Sequence, residues 1–68
     1  MNTDTHTQFF AVFENSETGM RSHVTRGPNG YHVSTVDLDS GNYLPEVRIF
    51  PLHMFDAAIT YAEKMVGA

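Results

Sequence analysis

The chain has 68 residues, no cysteine and a formal charge of −4, from eight acidic against four basic residues. The lack of cysteine excludes disulfides and thiolate metal sites, and the acid excess argues against a non-specific nucleic-acid binder, which carries a basic patch. No apolar run reaches the roughly 20 residues of a membrane-spanning helix, and a chain this short forms one domain that buries only about 60% of its unfolded surface.

Residues 1–7 (MNTDTHT) are polar and aperiodic. They are expected to form a flexible tail. They lack the apolar stretch of a secretory signal, which with the absence of cysteine points to a cytoplasmic protein. Residues 8–68 are expected to make a single ββββα domain.

Residues 8–14 (QFFAVFE) are rich in aromatic and β-branched side chains and predict a first strand. Alternation puts Phe9, Ala11 and Phe13 on one face and Phe10 and Val12 on the other. A polar turn follows at residues 15–19. Residues 20–25 predict a second strand, with Met20, Ser22 and Val24 opposed to Arg21, His23 and Thr25. The run GPNG at 27–30 is a turn by its chemistry, since proline presets φ and Asn and Gly accept positive φ. Residues 31–37 (YHVSTVD) alternate as a third strand. A turn spanning the whole of GPNG pairs Arg26 with Tyr31, Val24 with Val33 and Ser22 with Thr35, which sets apolar opposite apolar; the alternative, a two-residue turn at Asn29-Gly30, sets Val24 against Thr35 and Arg26 against Val33, a poorer match.

A further turn lies at residues 39–42, and residues 46–50 (EVRIF) predict a fourth strand with Val47 and Ile49 inward. Pro51 fits the first turn of a helix. Leu52, Phe55, Ile59, Ala62 and Val66 then recur at spacings of three and four as one apolar stripe centred on Ile59. The fold expected is α+β: an antiparallel β-meander of three to four strands, then one C-terminal helix packed on one sheet face.

Few motifs carry chemistry. Asp37 to Asn42 (DLDSGN) has the flavour of a calcium loop, but its glycine falls at the fifth place, and Arg48 stands where a bidentate Glu is required. His23 and His32 fall on neighbouring strands of the outer face, while His6 and His53 lie elsewhere. A closed zinc site needs four ligands. No nucleophile–base arrangement or phosphate-binding loop is recognisable. No metal, cofactor or catalytic residue is therefore expected. Tyr31, Phe50 and Phe10 could stack bases, but only Arg21, Arg26 and Arg48 would supply the positive groove such platforms use.

The acids are better placed. In a meander the first and third loops leave the same end of the sheet. Glu14, Glu17, Asp37 and Asp39 belong to those loops or their edges, with Glu46 close by, so an acidic end is expected as the partner-binding surface. One helix covers one face only. Phe10, Val12, Val36 and Phe50 are expected on the open face, as a homodimer or partner surface.

The order of three strands and a helix, carried by GPNGYHVS, VRIFP and AAITYAEKM, resembles a set of tiny domains from bacteria and mobile elements. In outline it is similar to the arm-binding domain of phage integrases, a DNA reader, though those domains are basic. In size, charge and architecture over the whole chain it resembles the small acidic anti-CRISPR proteins of phages. That resemblance implies an inhibitor that occludes a basic surface of a host defence complex, and it assigns no site residues. The reading is a non-enzymatic protein-binding domain of that kind. The alternatives are a nucleic-acid-binding domain using the open sheet face and a structural homo-oligomer.

Overall fold

A computed structural model describes residues 9–67, with side chains from residue 11 onward. The tail expected over residues 1–7, and the placement of the Phe9 and Phe10 side chains, lie outside the described residues. The elements are β1 (Phe9–Asn15), β2 (Met20–Gly27), β3 (Gly30–Asp37), β4 (Asn42–Tyr43), β5 (Arg48–Phe50) and α1 (Phe55–Met65). The sheet runs β1-β2-β3, and β4 and β5 both pair with the outer edge of β3. All pairs are antiparallel. The expected α+β architecture is the one observed.

The hairpin joining β2 and β3 is closed by Gly27 and Gly30, leaving Pro28 and Asn29 as its tip. Its register pairs Arg26 with Tyr31, Val24 with Val33 and Ser22 with Thr35, as the apolar matching predicts. Ser22 and Thr35 are buried and satisfy one another, Oγ to Oγ1 at 3.2 Å. In β1 the register slips between Phe9 and Ala11. That bulge sets Phe9 opposite Thr25, and from Ala11 onward the pairing with β2 is regular.

The last edge departs from expectation. Two short strands replace one, interrupted by residues 44–47, where Pro45 has no N–H to give. The Leu44 N–H still reaches the Thr35 carbonyl at 2.8 Å. The phase of β5 is also inverted. Phe50 pairs with Tyr31 and Arg48 with Val33, so both belong to the helix-covered face. Phe50 is 8% exposed, whereas Ile49 is 57% exposed and Val47 is exposed too. Phe50 is thus a core residue and not part of the open face, and Val47 and Ile49 are not inward. The cause is the partner available on each side. Under the helix the Phe50 ring meets Tyr61 at 5.6 Å between centroids, and the Arg48 guanidinium lies 5.1 Å from both of those rings.

Pro51 opens a turn, not the helix. The Met54 N–H donates to the Pro51 carbonyl at 2.8 Å, and α1 begins at Phe55. Leu52 and Met54 are consequently exposed. The helix face against the sheet centres on Ala58 and Ala62, both fully buried, with Val66 beyond the helix end. Ile59, expected at the centre, flanks that face and is half-buried, with Phe55 and Tyr61. Small residues at the contact let the helix axis lie close over Val24 and Val33. Ala62→Leu is therefore expected to destabilise the domain by about 1–3 kcal/mol through overpacking. Urea denaturation checks it, and an unchanged midpoint would mean that the helix stands off the sheet.

Candidate functional site

The two acidic turns meet. The Leu38 N–H donates to the Gly19 carbonyl at 2.8 Å, which ties the turn after β3 to the turn after β1. Each turn is also braced within itself. The Glu17 N–H donates to the Asn15 Oδ1 at 2.9 Å, and the Asp39 N–H to the Asp37 Oδ1 at 3.0 Å. Gly19 has φ +70, a left-handed conformation, and a Cβ there would lie 3.4 Å from the Asp39 carboxylate. Glu17, Asp37 and Asp39 thus share one end of the sheet. Among the described residues no cation pairs with any of them.

The other two acids behave differently. Glu14 is opposite Arg21 in the β1–β2 register, and the pair is closed by Nη2 at 2.7 Å and Nε at 2.9 Å. Both side chains are substantially exposed, so this pair neutralises charge more than it stabilises the fold. Glu46 lies between β4 and β5, along the middle of β3 and away from either acidic turn.

The end of α1 adds to the same surface. Thr18 donates its hydroxyl to the Val66 carbonyl at 2.8 Å, seating the turn after β1 on the C-terminal end of the helix. A helix C-terminus carries partial negative charge. Between them lies an open groove of about 360 Å³, lined by Phe13, Glu14, Asn15, Ser16, Glu17, Glu63 and Val66. Sequence reasoning passed over Glu63, because its proximity to Glu17 arises only when the helix docks.

The open face has its own structure. Val12 is 48% exposed beside His23, its register partner. Val36 and His23 are buried despite lying on the face away from the helix. Tyr43 stands opposite Val36, and its hydroxyl lies 3.3 Å from the His23 Nδ1. Of the residues expected to form an apolar patch here, Val12 is exposed, Val36 is covered and Phe50 is on the other side of the sheet.

Burial, and secondarily the positive charge of Arg21, hold the His23 imidazole below its ordinary pKa of 6.5. The unfolded chain then binds the proton at higher pH than the folded one. The stability tied to keeping His23 neutral is present above about pH 6.5 and is lost progressively as pH falls from there through the folded pKa. The slope contributed is at most about 1.4 kcal/mol per pH unit. Stability curves of wild type and His23→Gln are expected to diverge below that pH, with wild type losing more. Parallel curves would contradict it.

Comparison with protein-family models, curated proteins and solved structures finds no match for this chain. Among the described residues, no three His, Asp or Glu side chains are grouped to hold a metal ion, and no helix is long and apolar enough to cross a membrane.

Proposed function

We propose that this is a non-enzymatic protein-binding domain whose joined acidic turns dock on a basic surface of another protein. The observation that supports it is the pinning of Glu17, Asp37 and Asp39 at one end, held by the contact between Leu38 and Gly19 and unpaired with any described cation. Charges left unpaired on a braced surface are available to steer an encounter. The negative end of α1 strengthens the same field. Inhibition of a host defence complex by covering its basic surface is the concrete form, and it rests on the likeness in size, charge and architecture to anti-CRISPR proteins.

The test uses the domain as bait in lysate with and without nuclease treatment, beside a variant carrying Glu17→Lys, Asp37→Asn and Asp39→Lys. Asparagine keeps the oxygen that accepts the Asp39 N–H, so the turn stays folded. A protein retained by wild type and lost by the variant supports the proposal. Retention that ignores the substitutions, or that vanishes with nuclease, overturns it.

Self-association through the open face is a second reading, favoured by the exposure of Val12, Tyr43 and Ile49. Sedimentation of wild type and Val12→Asp separates it: a monomer at high concentration removes it.

A further inference from the structure

The outer edge of β1 and the groove beside it form one surface. Among the described residues β1 pairs with β2 alone and ends the sheet. An antiparallel edge strand directs alternate N–H and C=O groups outward, a template for another chain. Natural edges are usually blunted by lysine, proline or a bulge. A bulge interrupts this edge between Phe9 and Ala11, but from Ala11 to Asn15 the register is regular and the strand carries neither lysine nor proline. Its one charged side chain, Glu14, is drawn onto Arg21 of the neighbouring strand.

The groove opens at the C-terminal end of that edge. The helix is seated over the middle of the sheet, with Ala58 and Ala62 against Val24 and Val33. Tyr61 leans toward β5, where it meets Phe50. Glu63 and Val66 are on the opposite flank, facing Phe13 across the groove. A strand added to β1 would run beneath that flank, and one of its faces would present side chains to the groove. The volume of about 360 Å³ is at the lower end for a small-molecule site and suits one or two long side chains. Phe13 and Val66 offer an apolar floor. Glu17 and Glu63 at the rim have no described cation partner. An apolar floor with an anionic rim matches a lysine or arginine, whose stem is apolar and whose head is charged.

We propose that β1 takes an extended lysine- or arginine-bearing segment of a partner protein as an added strand, with a basic side chain seated between Phe13, Val66, Glu17 and Glu63. The inference rests on the protein-binding reading above and specifies its partner. Main-chain hydrogen bonds would supply affinity and the groove would supply selectivity. Charge favours this occupant over a second copy of the chain, since each copy carries −4.

The test is a nuclear magnetic resonance titration of the full chain with a short capped peptide alternating lysine with valine or threonine. Two further probes accompany it: the same peptide N-methylated along its backbone, and one with glutamate in place of lysine. The expected result is saturable shifts in the amides of residues 11–15 and 63–66 with the first peptide only. Affinity should fall about tenfold or more in Glu17→Lys with Glu63→Lys. Equal binding of the N-methylated peptide overturns strand addition. Shifts confined to residues 37–39 overturn the groove while leaving the acidic-end proposal intact. Shifts at β1 that grow with protein concentration alone assign the edge to a second copy. Absence of saturable binding removes the inference, whereas the acidic-end proposal is judged by its own bait experiment.

Discussion

Phe50→Ala is expected to leave the domain largely unfolded at body temperature. Phe50 is buried beneath α1, ring to ring with Tyr61 and in register with Tyr31. Truncating a buried phenylalanine costs about 3–5 kcal/mol, from lost transfer energy and the cavity left behind. A small domain has about 5 kcal/mol in total. The Arg48 guanidinium would also lose one of its two aromatic faces. The adjacent Ile49→Ala is expected to shift stability far less, since that side chain is 57% exposed. Urea melts of the two variants read the phase of β5 directly. A severe loss in Ile49→Ala with a mild one in Phe50→Ala would invert it.

Gly30→Ala carries the second large effect. Gly30 has φ +153, and a Cβ built on it would fall on the carbonyl oxygen of Phe50. That obstacle is backbone, so β5 would have to move off β3, taking the Phe50 ring with it. The φ term alone is about 1–2 kcal/mol, and lost pairing adds to it. A loss above about 2 kcal/mol lowers the melting temperature by roughly 10 °C in a domain of this size. Gly41→Ala is the control. Gly41 has φ +77 but no atom within 4 Å of an added Cβ, so it bears the conformational term alone. Equal melting temperatures for the two variants would show that β3 and β5 do not meet as described.

Much of the frame was legible because local chemistry and global packing agree. The GPNG turn pins one hairpin, and a one-residue slip there would expose Val24 and Val33 together. The meander order then puts the acidic turns at one end without further information. Three features were not legible, each for a physical reason. In EVRIFP either phase can bury something apolar, Val47 with Ile49 or Phe50 beneath the Arg48 guanidinium. The choice falls to Tyr61, fourteen or fewer residues on but adjacent only after the helix docks. Pro51 suits a helix start and a turn equally, so its N–H deficit does not decide where α1 begins. The apolar stripe names the buried face but not its centre: alanines allow closer approach than Ile59, and periodicity does not weigh size. The acidic site divides the same way. Glu17, Asp37 and Asp39 were placed by loop order alone. The pairing of Glu14 with Arg21 and the arrival of Glu63 depend on register and docking.

In the proposed function, the joined acidic turns guide a basic protein partner. Stopped-flow association of the partner recovered by the bait, measured across ionic strength, tests it most directly. Wild type is expected to associate fastest at low salt and to slow steeply as salt rises, while the variant with Glu17→Lys, Asp37→Asn and Asp39→Lys associates at least about tenfold more slowly at low salt and converges with wild type at high salt. Association rates that coincide at low salt would contradict the claim.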